Sequence, residues 1–268
     1  MVPAWDKIRR AQAAGGTPEV IRRGLGRAKT SLRRSYKSPL KNLILLRVPV
    51  FLRADDAMTA LAEILGEHPP AERDLALWRT EAESVLAQLP RREFGPFGPE
   101  FDLGPESAVL LYAVARWRRP RGVVETGVAR GVSSIVLLSA ISRNQGGALT
   151  SVDIDERAGT WVRSLFPEWQ LTLLDPRRPT HDLARLLREC SSLSLFVHDS
   201  DHREDNQKAE YELAGTHLVE GGLLFSDDVD ASPAFMSYLE QRGCAGIVIL
   251  DDRKAVGIAV PSVPRLGK

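Results

Sequence analysis

The chain has 268 residues, 43% of them hydrophobic, a net charge of +1 and two cysteines. That is enough apolar material for one sizeable α/β core with an accessory segment, so folding does not depend on covalent staples. Cys190 and Cys244 stand alone without metal-type spacing, which argues against a disulfide framework or a zinc site and fits a reducing cytoplasm.

The near-neutral balance hides an asymmetry, because residues 1–48 hold twelve Lys or Arg against Asp6 and Glu19. This basic arm offers contact to nucleic acid, an anionic membrane or an acidic partner, although solvated surface charge is the commoner role of such a run. The apolar run Leu43 to Leu52 is broken by Arg47 and Pro49 and falls short of the ~20 residues that span a bilayer. It also lies too far from Met1 to act as a secretory signal, so a cytoplasmic location is expected.

In chain order, residues 1–104 read as a helical cap or accessory segment. It contains a stretch from Ala57 to Leu65 and an amphipathic helix in which Leu75, Trp78, Ala82, Val85 and Leu89 recur at helical spacing. Pro90 ends that helix, and Phe94-Gly95-Pro96-Phe97-Gly98-Pro99 reads as a connector, placing a boundary near 95–105. From 105 to 268 short β-rich runs alternate with amphipathic stretches, the pattern of βαβ units on a mostly parallel sheet.

Strands are expected at Gly122–Thr126, Leu149–Asp153, Gln170–Leu174, Leu193–His198, Leu223–Ser226, Gly246–Leu250 and Ala255–Val260. Helices are expected near 107–117, 131–142, 156–165, 180–189, 203–219 and 232–242. Asp251 to Lys254 is too short for a crossover helix, so the last two strands must pair as an antiparallel hairpin. The expected fold class is therefore α/β: a doubly wound, seven-stranded, mostly parallel sheet with a C-terminal antiparallel hairpin, plus the N-terminal helical segment. A hairpin at the end of the parallel sheet fits poorly with a six-stranded dinucleotide-binding domain.

Glu125-Thr126-Gly127-Val128-Ala129-Arg130-Gly131-Val132-Ser133 places a carboxylate at a strand end, then a turn of small residues, then a helix start. Gly127 and Gly131 allow close backbone approach to a ligand, and the helix N-terminus offers free N–H groups suited to an amino acid carboxylate. Ala129 interrupts the G-x-G-x-x-G dinucleotide fingerprint. Asp153 ends the second strand, where a carboxylate can accept both hydroxyls of a ribose, while Asp155 suits the N-cap of the following helix. Asp175 closes the third strand, either near an adenine ring or as an Asp-Pro turn starter.

His198-Asp199-Ser200-Asp201-His202 and Ser226-Asp227-Asp228 follow successive apolar strands and emerge at the carboxyl edge of the sheet, where ligands bind. Asp199, Asp227 and Asp228 can converge there, and clustered carboxylates are stabilised by a hard cation such as Mg²⁺. His198 and His202 can also ligate, with a satisfied loop histidine as the alternative role for one of them.

These motifs resemble the metal-dependent class I O-methyltransferases of the catechol, caffeoyl-coenzyme A and macrolide-sugar types, over roughly residues 105–260. Glu125 to Ser133 is similar to the family's E-x-G-x-x-x-G-x-S turn, and Asp153 stands at its ribose-binding acid. The resemblance implies S-adenosylmethionine as cofactor, held by Glu125, Gly127, Ala129, Gly131, Ser133, Asp153 and Asp175. It also implies a divalent metal on Asp199, Asp227 and Asp228.

Asp199 to His202 is similar to the family's D-x-x-K segment, with His202 where the proton-accepting lysine would stand, so His202 or Asp199 becomes the base. The implied acceptor is a hydroxyl of a small molecule, and a homo-oligomer is compatible with the pattern. Two alternatives are a metal-independent O- or N-methyltransferase and a non-catalytic binding module docking through its basic arm.

Overall fold

The computed structural model describes residue 44 and residues 47–89, 96–251 and 254–261. Most of the basic arm, the helix end at Pro90 and Asp252-Arg253 of the hairpin turn lie outside the described residues. Among those described, no helix is long and apolar enough to cross a membrane.

Among the described residues, eight strands form one sheet: β1 (Val50–Phe51), β2 (Gly122–Thr126), β3 (Ala148–Asp153), β4 (Leu171–Leu173), β5 (Leu193–His198), β6 (Leu223–Ser226), β7 (Ala245–Asp251) and β8 (Lys254–Val260). Their order across the sheet is β1-β7-β8-β6-β5-β2-β3-β4. All neighbours are parallel except β8, which runs antiparallel to both β6 and β7. All seven expected strands are present, and β2, β5 and β6 have the expected ends.

Two features differ from expectation. The hairpin does not close the sheet, because β8 inserts beside β6 and the short β1 covers the outer side of β7. Two residues of strand are too few to show an alternating pattern, which is why β1 is invisible in the run Leu43 to Leu52.

The helices bounded within the described residues are α1 (Ala54–Leu65), α2 (Glu72–Ala87), α3 (Pro105–Arg118), α4 (Val132–Asn144), α5 (Thr160–Leu165), α6 (Pro179–Glu189), α7 (Glu204–His217) and α8 (Ala234–Arg242). One turn of 3₁₀ helix, Pro99–Phe101, precedes α3. Helix α5 starts four residues later than expected. Asp155 does not cap it: that carboxylate accepts the Arg157 backbone N–H at 2.9 Å and pairs with the Arg157 side chain. Gly159, at φ 73°, takes the N-cap position.

Central strands bury both faces, as expected when helices cover a parallel sheet on each side. On one face Val123, Leu195, Val197, Phe225, Ile247 and Ile249 pack with residues of α1–α4. On the other, Val124, Phe196, Leu224 and Val248 pack with α6–α8. Helix α3 lies between the sheet and the accessory helices, so its residues Ser107 to Ala115 are buried all round. Met58 and Leu61 of α1 and Leu75, Ala82 and Val85 of α2 belong to that same core, which thus extends across the boundary expected near 95–105.

The chain lays β2, β3 and β4 outward in one direction and then returns to place β5 on the other side of β2. This reversal is the topological switch point at which α/β sheets hold ligands.

Candidate active site

The turn between β2 and α4 forms one wall of the switch point. Gly127, Ala129 and Gly131 have φ of 78°, 44° and 98°, so three of five consecutive residues are left-handed. A Cβ on Gly127 would meet the Asp199 carbonyl oxygen at 2.1 Å, and one on Gly131 would meet Val162 Cγ2 at 2.1 Å. These glycines let the turn approach the β5 loop and α5, which fixes the mouth of the site. Helix α4 has no side-chain N-cap, leaving its first N–H groups for a ligand.

Glu125 is fully buried beneath the turn. Its Oε2 accepts the hydroxyls of Ser134 at 2.5 Å and Ser151 at 2.8 Å, while Oε1 has no partner. Burial pushes its pKa up, and the hydroxyls of Ser133, Ser134 and Ser151 oppose that rise. At the end of β3, Asp153 Oδ2 accepts the Val128 N–H at 2.8 Å and Oδ1 accepts the Asp155 N–H at 2.9 Å. Oδ2 also accepts the Ala129 N–H at 3.4 Å, while Oδ1 keeps a second lone pair, so Asp153 both ties the turn and can still receive a hydroxyl. Asp175 organises the start of α6, accepting the Arg177 N–H at 3.0 Å and pairing with Arg178 at 3.2 Å.

Parallel pairing of β5 and β6, with His198 opposite Ser226, sets Asp199 beside Asp227. One donor atom from each of Asp199, His202 and Asp227 lies within 4.8 Å of the other two. Asp228, the third member of the expected trio, is not in that group. Asp228 has φ 46°, so it leaves the strand in a different direction from Asp227, and its Oδ2 lies 3.1 Å from His202 Nδ1. His202 Nε2 is left without a hydrogen-bond partner, 3.8 Å from Asp199 Oδ1.

Burial and the neighbouring Asp227 hold the Asp199 carboxyl well above the usual carboxylate range. Asp227 is also raised, by burial and by Asp228, against the pull of Lys254. Burial raises Asp228 too, but His202 and Lys254 outweigh it and its pKa is lowered.

His198 does not join the cluster. It is fully buried, with Nδ1 2.8 Å from Glu210 Oε2. Glu210 also accepts Thr126 Oγ1 at 2.5 Å and Ser200 Oγ at 2.7 Å, thereby tying the ends of β2 and β5 together from α7. Burial alone would raise Glu210, yet His198 and the two hydroxyls bring it below its ordinary value.

Two residues escape the sequence reading: Glu210, which looks like ordinary helix-surface charge, and Lys254. The Lys254 ammonium lies 2.5 Å from Asp227 Oδ2 and 3.8 Å from Asp228 Oδ2. The insertion of β8 beside β6, which brings it there, leaves no mark in local sequence.

Residues 124–229, from β2 to just beyond β6, match a family model described as a methyltransferase domain. No curated protein sequence matches the chain. Among solved structures, the O-methyltransferase TomG of Streptomyces achromogenes, of tomaymycin synthesis, in complex with S-adenosylmethionine, is similar at 14% identity and TM-score 0.50. The match covers 78% of this chain and 97% of that one. An O-methyltransferase of Bacillus cereus in complex with SAH is similar at 15% identity and TM-score 0.45, covering 76% and 96%. The SAH-bound methyltransferase PaMTH1 of Podospora anserina is similar at 11% identity and TM-score 0.49, covering 78% and 95%. The matched segment holds the glycine turn, the strand-end acid Asp153 and the Asp199–Asp227 cluster at the switch point, and over that segment the chain is similar to a methyltransferase domain.

Proposed function

We propose that the protein transfers a methyl group from S-adenosylmethionine to a hydroxyl of a small molecule with neighbouring oxygens, of sugar, polyketide or catechol-like type. The supporting observation is the convergence of Asp199, His202 and Asp227 beside the Gly127 turn, which brings proton-accepting groups next to the cofactor wall.

The cofactor supplies the electrophilic methyl carbon. The N–H groups at the start of α4 would receive its carboxylate, and Asp153 would receive its ribose hydroxyls. Held in line with that carbon, the acceptor oxygen needs mainly proximity and removal of its proton. His202 Nε2 takes the proton while Asp228 on Nδ1 orients the ring and stabilises the imidazolium. Asp199, with its raised pKa, is the weaker candidate for that role.

A divalent cation such as Mg²⁺ fits the donor set, since Asp227 Oδ1 and His202 Nε2 are buried without partners. Asp199, Asp227 and His202 would hold it, it would acidify a coordinated hydroxyl, and with His202 Nε2 so engaged Asp199 would take the proton. Lys254 on Asp227 favours a second, metal-independent version, because it already supplies one positive charge. Turnover that survives chelators would select that version.

The deciding measurement is calorimetric titration of S-adenosylmethionine into the protein and the Asp153→Ala variant. Micromolar-range binding by the native chain and its loss in the variant are expected. No binding by the native chain would overturn the proposal.

A further inference from the structure

Lys254 is the first residue of β8 and is 7% exposed, yet its ammonium points into the acidic cluster instead of snorkelling to water. It lies 2.5 Å from Asp227 Oδ2 and 3.8 Å from Asp228 Oδ2. The other oxygen of Asp227 is fully buried and has no hydrogen-bond partner. Asp227 is thus divided, one oxygen on a fixed cation and one buried without a partner, in a carboxylate grouped with Asp199 and His202.

Asp228 meets both the imidazole and the ammonium through the same oxygen, Oδ2. A buried carboxylate group of this density needs positive charge close by to remain ionised. The chain provides that charge from its own backbone ladder.

We propose that Lys254 is a tethered counter-cation that competes with a divalent metal for Asp227 and so sets how tightly the cluster binds one. The inference rests on the metal-assisted form of the function proposed above. An ammonium fixed on one oxygen of Asp227 repels a second cation placed on the other across only a few ångströms, and partial burial weakens the screening of that repulsion. With the ammonium in place, the site remains folded and charge-balanced without metal, and a divalent ion binds only weakly. With the ammonium removed, the same carboxylates become a stronger site.

The test is titration of Mn²⁺ alone, without cofactor or acceptor, followed by electron paramagnetic resonance of the free ion. The proteins are the native chain, Lys254→Gln, Lys254→Arg and Asp227→Asn. Glutamine keeps a hydrogen-bond donor for Asp227 and removes only the charge; Lys254→Met, of similar length, serves if the glutamine variant fails to fold. Lys254→Gln is expected to bind Mn²⁺ at least about tenfold more tightly than the native chain, and Lys254→Arg to stay within about threefold of it. Asp227→Asn is expected to bind none.

Native-like affinity in Lys254→Gln, with binding still abolished by Asp227→Asn, would overturn the inference and leave the metal-assisted function standing. Absence of Mn²⁺ binding in all of these proteins would overturn both.

Discussion

His202 and Asp228 act as a pair at the scale of single residues. Nδ1 lies 3.1 Å from a carboxylate whose pKa is lowered, which favours the tautomer with its proton on Nδ1 and its lone pair on Nε2, the nitrogen left without a partner. Asp228→Asn offers an amide in place of that carboxylate and removes the charge that stabilises the imidazolium. It should lower kcat by roughly 10²-fold while leaving S-adenosylmethionine affinity within about threefold, and Asp228→Glu should recover part of the loss. Equal losses in kcat and cofactor affinity would instead mark Asp228 as part of the cofactor wall. Asp199 and Asp227 were legible in the sequence because each follows an apolar strand, and strand ends in such sheets face the ligand. The part of Asp228 was not, because a left-handed φ decides its direction and no neighbouring residue type announces it.

Among the elements, α1 depends on a distant side chain. Its N-cap residue, Arg53, makes no side-chain cap, and the Ala54 N–H is instead met at 2.9 Å by Glu106 Oε2 from the first turn of α3. Arg79 of α2 grips both oxygens of Glu106, at 2.8 and 2.9 Å, so one carboxylate joins three helices. Burial would raise the pKa of Glu106, but the Arg79 and Ala54 hydrogen bonds win and hold it below the ordinary carboxylate value.

A depressed carboxyl contributes stability above its unfolded pKa of about 4.3 and loses it as pH falls through the lower folded value. Glu106→Gln should cost about 2 kcal/mol at neutral pH, and the gap between the two proteins should close on acidification below pH ~4. Denaturant melts across that range would show it, and a constant gap would mean the charge is not what matters. Central strands were read with correct ends because burial on both faces produces unbroken apolar runs. The start of α5 was misplaced because Asp155 and Gly159 settle a turn that periodicity does not encode.

For the whole molecule, the relevant unit is the shared core. Helices α1 and α2 have no separate interior; their buried residues pack with α3, which packs with the sheet. The accessory helices and the sheet should therefore unfold in one cooperative transition, with a calorimetric enthalpy equal to the van't Hoff value. Two resolved transitions would restore the division near 95–105 as a true folding boundary. The texture change there is real in sequence, but composition reports where a connector lies and not which surfaces it brings together.

The β7–β8 ladder ends at the pair Asp251 and Lys254. Because successive strand residues face opposite ways, gaining one residue within β8 would bring the apolar Ala255 to the cluster in place of Lys254. The segment can therefore tolerate many changes of residue identity and very few of length: the strand serves as a ruler, and what it measures out is the position of a single charge.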